Sequence, residues 1–476
     1  MNSADLYAFL PFIILGIASV VVMLGISVYR NHAVTNLLTL LGLVLSGLAL
    51  ALVANWIPRQ VTPLFIADRY SFFYTGLILG ATFFTALLSY GYLEKLGGQR
   101  EEFYLLLILA ALGSSALVAS SHFASFFLGL EVLSISLYGM IAYPRRGAAD
   151  IEAGIKYLVL AALSSAFLLF GMALVYAKTG TMEFGPVASK AGELSGSPVF
   201  LAGLALIIVG LGFKLAVVPF HMWTPDVYEG APAPVTGFIA TVSKGAVFAL
   251  LLRYFSGLQP ASNPPLFLVF AVIAASSMFV GNLLALLQRN IKRMLAYSSI
   301  AHLGYLLVAF LAGGPFRVSA VTYYLVAYFI TTLGSFGVIT VLSSRSGDAD
   351  DIGLYEGLSL RRPWIAAIFT AMLFSLAGIP MTAGFMAKYY VLLAGVGSAL
   401  WFLVIILVVN SAIGLFYYLR IIVAMYKKPE GDTPHGAGAG ETIPASGGFV
   451  LAVLVLLLLW LGIYPSPLIE MIRGLL

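Results

Sequence analysis

Fourteen apolar runs, each about twenty residues long, follow one another along this chain, and no other feature restricts its fold as severely. A bilayer core about 30 Å thick is crossed by about 20 apolar residues in a helix, because only helices and closed barrels satisfy their own backbone polar groups in lipid. The runs fall near 6–29, 33–55, 70–92, 102–120, 122–143, 152–178, 198–218, 233–255, 264–287, 292–312, 318–343, 363–396, 401–426 and 447–472. They predict an all-α membrane protein of about 14 transmembrane helices, with residues 1–476 forming a single polytopic domain. Composition leaves no room for a separate soluble domain: 61% of the residues are hydrophobic and 9% charged, where soluble domains carry about 25% charged residues. The first run is too long for a signal-peptide core and has no basic segment before it, so it is expected to remain as the first helix.

Charge placement sets the expected orientation. Basic residues collect in alternate loops, among them Arg30, Lys95, Arg100, Arg145, Arg146, Arg289, Arg361, Arg362 and Lys428, which places those loops in the cytoplasm and both termini on the outer, periplasmic side. The net charge of +5 is spread singly rather than gathered on one face, so nucleic acid is not an expected partner. The absence of cysteine excludes iron–sulfur clusters, c-type haem attachment and disulfides from this chain. The five histidines are scattered, and no metal motif or nucleophilic triad is formed. The glycine-rich stretch His435–Gly440 sits in a polar loop rather than between a strand and a helix, so it reads as a flexible connection.

Two of the runs contain breaks of one kind. In the seventh, Lys214 is followed by Pro219, His221, Pro225, Gly230, Pro232 and Pro234. In the twelfth, Gly378, Pro380 and Gly384 interrupt the run that carries Lys388. Proline lacks the helix donor and clashes with the preceding turn, so both spans are expected to unwind there. The breaks lie five spans apart, and an odd offset reverses direction. That pattern predicts an inverted repeat of spans 4–8 (102–255) against spans 9–13 (264–426), with spans 1–3 (1–101) and span 14 (447–472) outside it.

Of the 25 Lys and Arg residues, twenty fall in loops or at the ends of spans, leaving Lys156, Lys214, Lys244, Lys388 and Arg420, and Glu131 is the one acid well inside a span. A charge at mid-bilayer costs about 3 kcal/mol or more, so each needs a reason. Glu131 reads either as a neutral carboxyl bonded to a neighbouring helix or as an ion-pair partner for a buried lysine. Lys214, Lys244 and Lys388 have no acid within two turns on their own helices. Snorkelling or a lipid headgroup would explain Lys244 or Lys388 alone, and a static ion pair Lys214; on three spans together they read as proton-relay stations, since desolvation penalises the ammonium form and eases proton exchange. Lys156, one turn inside its span, reads equally as a surface-seeking side chain. Arg420 reads as an interface anchor or a partner for a loop acid. His221, His302 and Tyr297 are weaker candidates, with capping or packing as the alternative.

The runs Gly212-Phe-Lys214 to Pro219-Phe-His221-Met-Trp-Thr-Pro225 and on to Gly230-Ala-Pro232-Ala-Pro234, Asn290-Ile-Lys-Arg293-Met-Leu-Ala-Tyr297, Phe374 to Pro380-Met-Thr, and Ile155-Lys156-Tyr resemble the antiporter-like membrane subunits of respiratory complex I. Among its branches the chain is most similar to subunit N, since it ends soon after span 14 and carries Lys388 where the M type has glutamate. The resemblance implies a proton-translocating subunit of a bacterial NADH–quinone oxidoreductase in the cell inner (plasma) membrane. It implies Glu131, Lys214, Lys244 and Lys388 as proton-channel residues, with Lys156, His221 and Tyr297 accessory. It implies no cofactor in this chain, with NADH, FMN, iron–sulfur clusters and quinone handled by other subunits, and as partners the other membrane subunits, antiporter-like neighbours included, together with lipids and protons. A multi-subunit Mrp-type cation/proton antiporter shares this pattern, and a non-pumping scaffold is the remaining alternative. Sodium dependence separates the first, and the buried charges argue against the second.

Overall fold

A computed structural model of the chain describes residues 3–144, 148–314, 316–345, 347–428 and 443–475. Arg145, Arg146 and the His435–Gly440 stretch lie outside these. The principal helices are α1 (Leu10–Val28), α2 (His32–Leu52), α3 (Arg69–Leu96), α4 (Glu101–Ala119), α5 (Phe123–Ile141), α6 (Ala148–Thr179), α7 (Pro198–Leu215) and α8 (Trp223–Gly230). They continue as α9 (Ala233–Leu258), α10 (Pro264–Leu286), α11 (Ile291–Leu311) and α12 (Phe316–Leu342), then α13 (Pro363–Ala377), α14 (Ala383–Gly397), α15 (Trp401–Tyr426), α16 (Ala445–Ile463) and α17 (Ser466–Arg473). Among the described residues 13 helices are long and apolar enough to cross a membrane. The shorter pair α13 and α14 together supplies the remaining crossing, so the expected count of about 14 stands. A small hairpin, Arg59–Thr62 against Phe65–Ala67, is the one sheet among the described residues.

Burial orders these helices. The apolar windows of α9 and α12 are wholly covered by protein and that of α11 nearly so, whereas α1, α2 and α16 leave more than half of theirs uncovered, toward lipid. The central three therefore carry the polar side chains that lipid would exclude. Small residues allow close approach: a Cβ at Gly113 would meet the Leu133 backbone nitrogen at 2.6 Å, which fixes how tightly α4 packs on α5.

Both expected breaks are present, and both close in the same way. α7 ends where Ala216 turns left-handed at φ 60, its N–H donating to Gly212 and Phe213, while the Val217 N–H reaches back to the Gly212 carbonyl at 3.0 Å. α13 ends at Gly378 with φ 87, and the Ile379 N–H reaches back to the Phe374 carbonyl at 2.9 Å. This six-residue closure satisfies carbonyls that a broken helix would otherwise leave bare. After the second break, Thr382 caps α14 by accepting from the Phe385 N–H. The two broken spans run in opposite directions, since α8 ends at the face where α11 begins whereas α13 starts from that face. α9 also departs from regularity: Ile239–Ser243 form a π turn directly before Lys244, and such turns mark functional positions in many helices.

Candidate functional site

Lys214, Lys244 and Lys388 are buried, with 3%, 1% and 8% of their surface exposed. None lies within ion-pair distance of an acid among the described residues. Each Nζ instead donates to a serine on a neighbouring helix. Lys214 donates to Ser134 of α5 at 2.6 Å, Lys244 to Ser299 of α11 at 2.7 Å, and Lys388 to Ser411 of α15 at 2.7 Å. Lys388 donates also to the Ala377 carbonyl at 2.8 Å, one of the backbone groups at the break. Aromatic faces supply the rest of the cation's surroundings: Tyr157 lies 5.6 Å from Lys214, Tyr228 lies 5.2 Å from Lys244 and Tyr305 lies 5.3 Å from Lys388.

The serine partners matter chemically. A carboxylate holds an ammonium in one charge state, whereas a hydroxyl accepts from –NH₃⁺ and donates to –NH₂. Each lysine therefore keeps a hydrogen bond whether or not it carries its proton.

The expected direct pairing of Glu131 with Lys214 does not form. The Glu131 carboxylate accepts from Ser165 of α6 at 2.5 Å, while Lys214 is held by Ser134, one turn further along α5. The two charges still act on each other across that turn. A hydroxyl of a neighbouring helix thus partners Glu131, and its relation to Lys214 is across one helical turn rather than by contact.

Lys156 is neither buried nor turned to lipid. Its Nζ lies 2.6 Å from Glu152 and 2.8 Å from Asp226 at the end of the broken span. Arg293 binds the other Asp226 oxygen at 2.8 Å and Glu229 at 2.6 Å. Asn290 joins Glu229 to Asp350, and beside them a buried pair, Lys292 with Asp348 at 2.5 Å, is completed by the Tyr92 hydroxyl. Burial alone would raise the Asp226 carboxyl, but hydrogen bonds from Lys156 and Arg293 outweigh it and hold it below the usual aspartate range. Asp350 goes the other way, pushed up by burial. Among the described residues Arg420 pairs with no acid; its guanidinium caps the carbonyls of Leu286 and Gln288 at the end of α10, where a cation suits the helix dipole.

His302 is better placed than its sequence context suggested. Its ring bonds Tyr324 at 2.7 Å and Tyr418 at 3.2 Å, and Tyr418 bonds Ser298 at 2.5 Å. From Lys244 the hydrogen bonds run to Ser299, which also accepts from Tyr328 at 2.8 Å. Tyr328 and His302 border a cavity of ≈ 10 Å³ whose other walls include Thr331, Ser375 and Gly384, next to the break that holds Lys388. That is about the smallest space that admits one water among polar partners. Among the described residues three buried atoms of the break and α8 find no well-aligned hydrogen-bond partner: Nδ1 of His221, Oγ1 of Thr224 and the hydroxyl of Tyr228, whose ring lies against Lys244 and whose hydroxyl is close to Ser299. Their spacing of three and four residues puts them on one face of the break and α8. Tyr297 is half-buried and packs against the core.

The sequence reading overlooked the serines, the tyrosines and Asp226. Ser134 stands one turn after Glu131 and Ser299 one turn before His302, so helical spacing was the available signal. Asp226 lies in α8 past the break, and Asp348 and Asp350 lie in the segment after α12, so only folding brings them to Lys156 and Lys292.

The same architecture occurs in known proteins. A chain of respiratory complex I from Thermus thermophilus is 33% identical over 97% of this chain and 98% of that one, with a TM-score of 0.83. A chain of the membrane-bound sulfane sulfur reductase, an archaeal respiratory membrane complex, is 26% identical over 100% and 97%, with a TM-score of 0.82. A chain of the Mrp complex from Dietzia sp. DQ12-45-1b shares the fold at a TM-score of 0.87 and 21% identity, over 100% and 97%. The family described as "NADH:quinone oxidoreductase/Mrp antiporter, TM" matches residues 120–414, the stretch that holds both breaks, all three buried lysines and Glu131. That match takes in more than half of the 476 residues, with both broken spans and all three lysines, and the chain belongs to the NADH:quinone oxidoreductase/Mrp antiporter family.

Proposed function

We propose that this chain is the proton-translocating, subunit-N-type membrane subunit of a bacterial NADH–quinone oxidoreductase, whose redox chemistry resides in other subunits. The observation that carries this reading is the hydroxyl partnership of the three buried lysines. A structural lysine gains from a carboxylate, whereas these are held so that either protonation state keeps a partner. The 33% identity to a complex I chain over nearly the full length supports the assembly.

In this reading Lys214, Lys244 and Lys388 are the stations, arranged in two inverted five-span units, 102–255 and 264–426. Water bound by His221, Thr224 and Tyr228 joins the first two, since buried polar groups without protein partners are ordinarily hydrated. Ser299, Tyr328 and the cavity beside His302 join Lys244 to Lys388. Glu131 biases the charge of Lys214 from one turn away, and movement of that carboxylate between Ser165 and the lysine would load or release the proton. The network of Lys156, Asp226 and Arg293 lies at the face proposed as cytoplasmic, where the path begins, and both termini then face the periplasm.

The test is proton transfer by the assembled complex in sealed vesicles. Lys388→Ala is expected to cut proton uptake per NADH oxidised severalfold with the complex present at normal levels. Lys388→Arg is expected to do the same, because arginine does not release its proton. Uptake independent of sodium separates this reading from cation exchange. Unchanged uptake in both variants would remove Lys388 from the path.

A further inference from the structure

An apolar groove opens on the flank of the bundle, away from the lysines. It has a volume of ≈ 290 Å³, lies between α3, α12, α16 and α17, and is floored by Gly76, Gly80, Phe329 and Leu333 with Trp460 and Met471 at its sides. Nothing lies within 4 Å of where a Cβ would stand at Gly80, so the groove is open there. Its inner wall reaches the core: a Cβ at Gly245, next to Lys244, would lie 2.3 Å from the Phe329 ring.

The end of the groove has a distinct charge. Arg69 begins α3, Arg317 lies in the first turn of α12 and Arg473 ends α17, all at the face opposite the Lys156 network. Arg69 donates to the Gly474 carbonyl at 3.1 Å, beside Arg473, and Arg317 lies close to Tyr70, the residue after Arg69. At the same face Arg59 pairs with Asp5 and Arg253 with Asp68, but Arg69, Arg317 and Arg473 have no ion pair among the described residues. The helical rise of 1.5 Å per residue puts Gly76 about 10 Å below Arg69 and Val326 about 14 Å below Arg317. Both depths lie beyond a headgroup zone of about 5–7 Å in each leaflet, among the acyl chains.

We propose that this groove binds one anionic phospholipid, with an acyl chain against Gly76, Gly80 and Phe329 and the phosphate among Arg69, Arg317 and Arg473. The lipid then covers a surface that packs on the helix carrying Lys244. The inference does not rest on the proton-path reading and survives its failure.

The assembled complex, purified and placed in nanodiscs of mixed phosphatidylglycerol and phosphatidylcholine, tests it by native mass spectrometry and by a photo-reactive residue at Leu457, which lines the groove. The wild type is expected to retain one phosphatidylglycerol per chain that Gly80→Phe loses, since a Cβ there meets nothing within 4 Å and the ring would occupy the groove. Arg69→Gln with Arg317→Gln is expected to weaken retention about tenfold and to abolish the preference for phosphatidylglycerol. Equal retention by wild type and Gly80→Phe would overturn the proposal. So would indifference to headgroup, or a cross-link from Leu457 to another subunit's helix in place of lipid.

Discussion

At the residue scale, the relation between Glu131 and Lys214 is the most informative detail. The sequence places one acid and several lysines in the membrane, and opposite charges in lipid are expected to touch. They do not, because each finds a serine first. Serine is unremarkable in a sequence, and its role emerges only when α5, α6 and α7 are packed together. Coupling through space rather than contact predicts a moderate interaction energy. Glu131→Gln and Lys214→Ala are each expected to lower proton transfer, and the double variant to fall short of their product by about 1 kcal/mol, within the range found for neighbouring groups. Double-mutant analysis of vesicle acidification with assembly as a control measures this. Strict additivity would show that Glu131 acts on something other than Lys214.

At the element scale, the paired breaks define the architecture. Gly-Ile-Pro and Pro-Phe-His inside apolar runs were enough to locate them, because proline and glycine act locally. The manner of closure was not legible: Ala216 and Gly378 hold equivalent left-handed positions, though only one of them is a glycine. Substitution should therefore be asymmetric. Ala216→Gly relieves a left-handed alanine, worth about 1 kcal/mol, and is expected to raise thermal stability slightly. Gly378→Ala adds that strain and sets a Cβ 2.9 Å from the Lys388 side chain, so it is expected to cost more than about 1 kcal/mol and to impair proton transfer. Thermal unfolding of the purified complex and its pumping rate check both, and a neutral Gly378→Ala would mean that the break is less constrained than its geometry implies. The π turn before Lys244 had no sequence signal, since Ile239–Ser243 contain neither proline nor glycine.

At the scale of the whole molecule, hydrophobic runs of membrane-spanning length sufficed for the helix number and class, because the bilayer leaves so few alternatives. Long-range polar assembly was hidden. Lys156 meets Asp226 from 70 positions away, and His302 meets Tyr418 from 116. In the proposed path these scattered groups link the Lys156 network, past the break, through α9 and α11 to α14. The central claim is that the buried lysines exchange protons rather than merely hold charge. Lys244→Arg addresses it most directly, since arginine keeps the charge and the donor to Ser299 but does not deprotonate. In sealed vesicles containing the complex, the number of protons moved per NADH oxidised is expected to fall in Lys244→Arg to the level of Lys244→Ala, with assembly unchanged. A wild-type proton ratio in Lys244→Arg, with Lys244→Ala defective, would show that Lys244 serves as a fixed charge and would contradict the account.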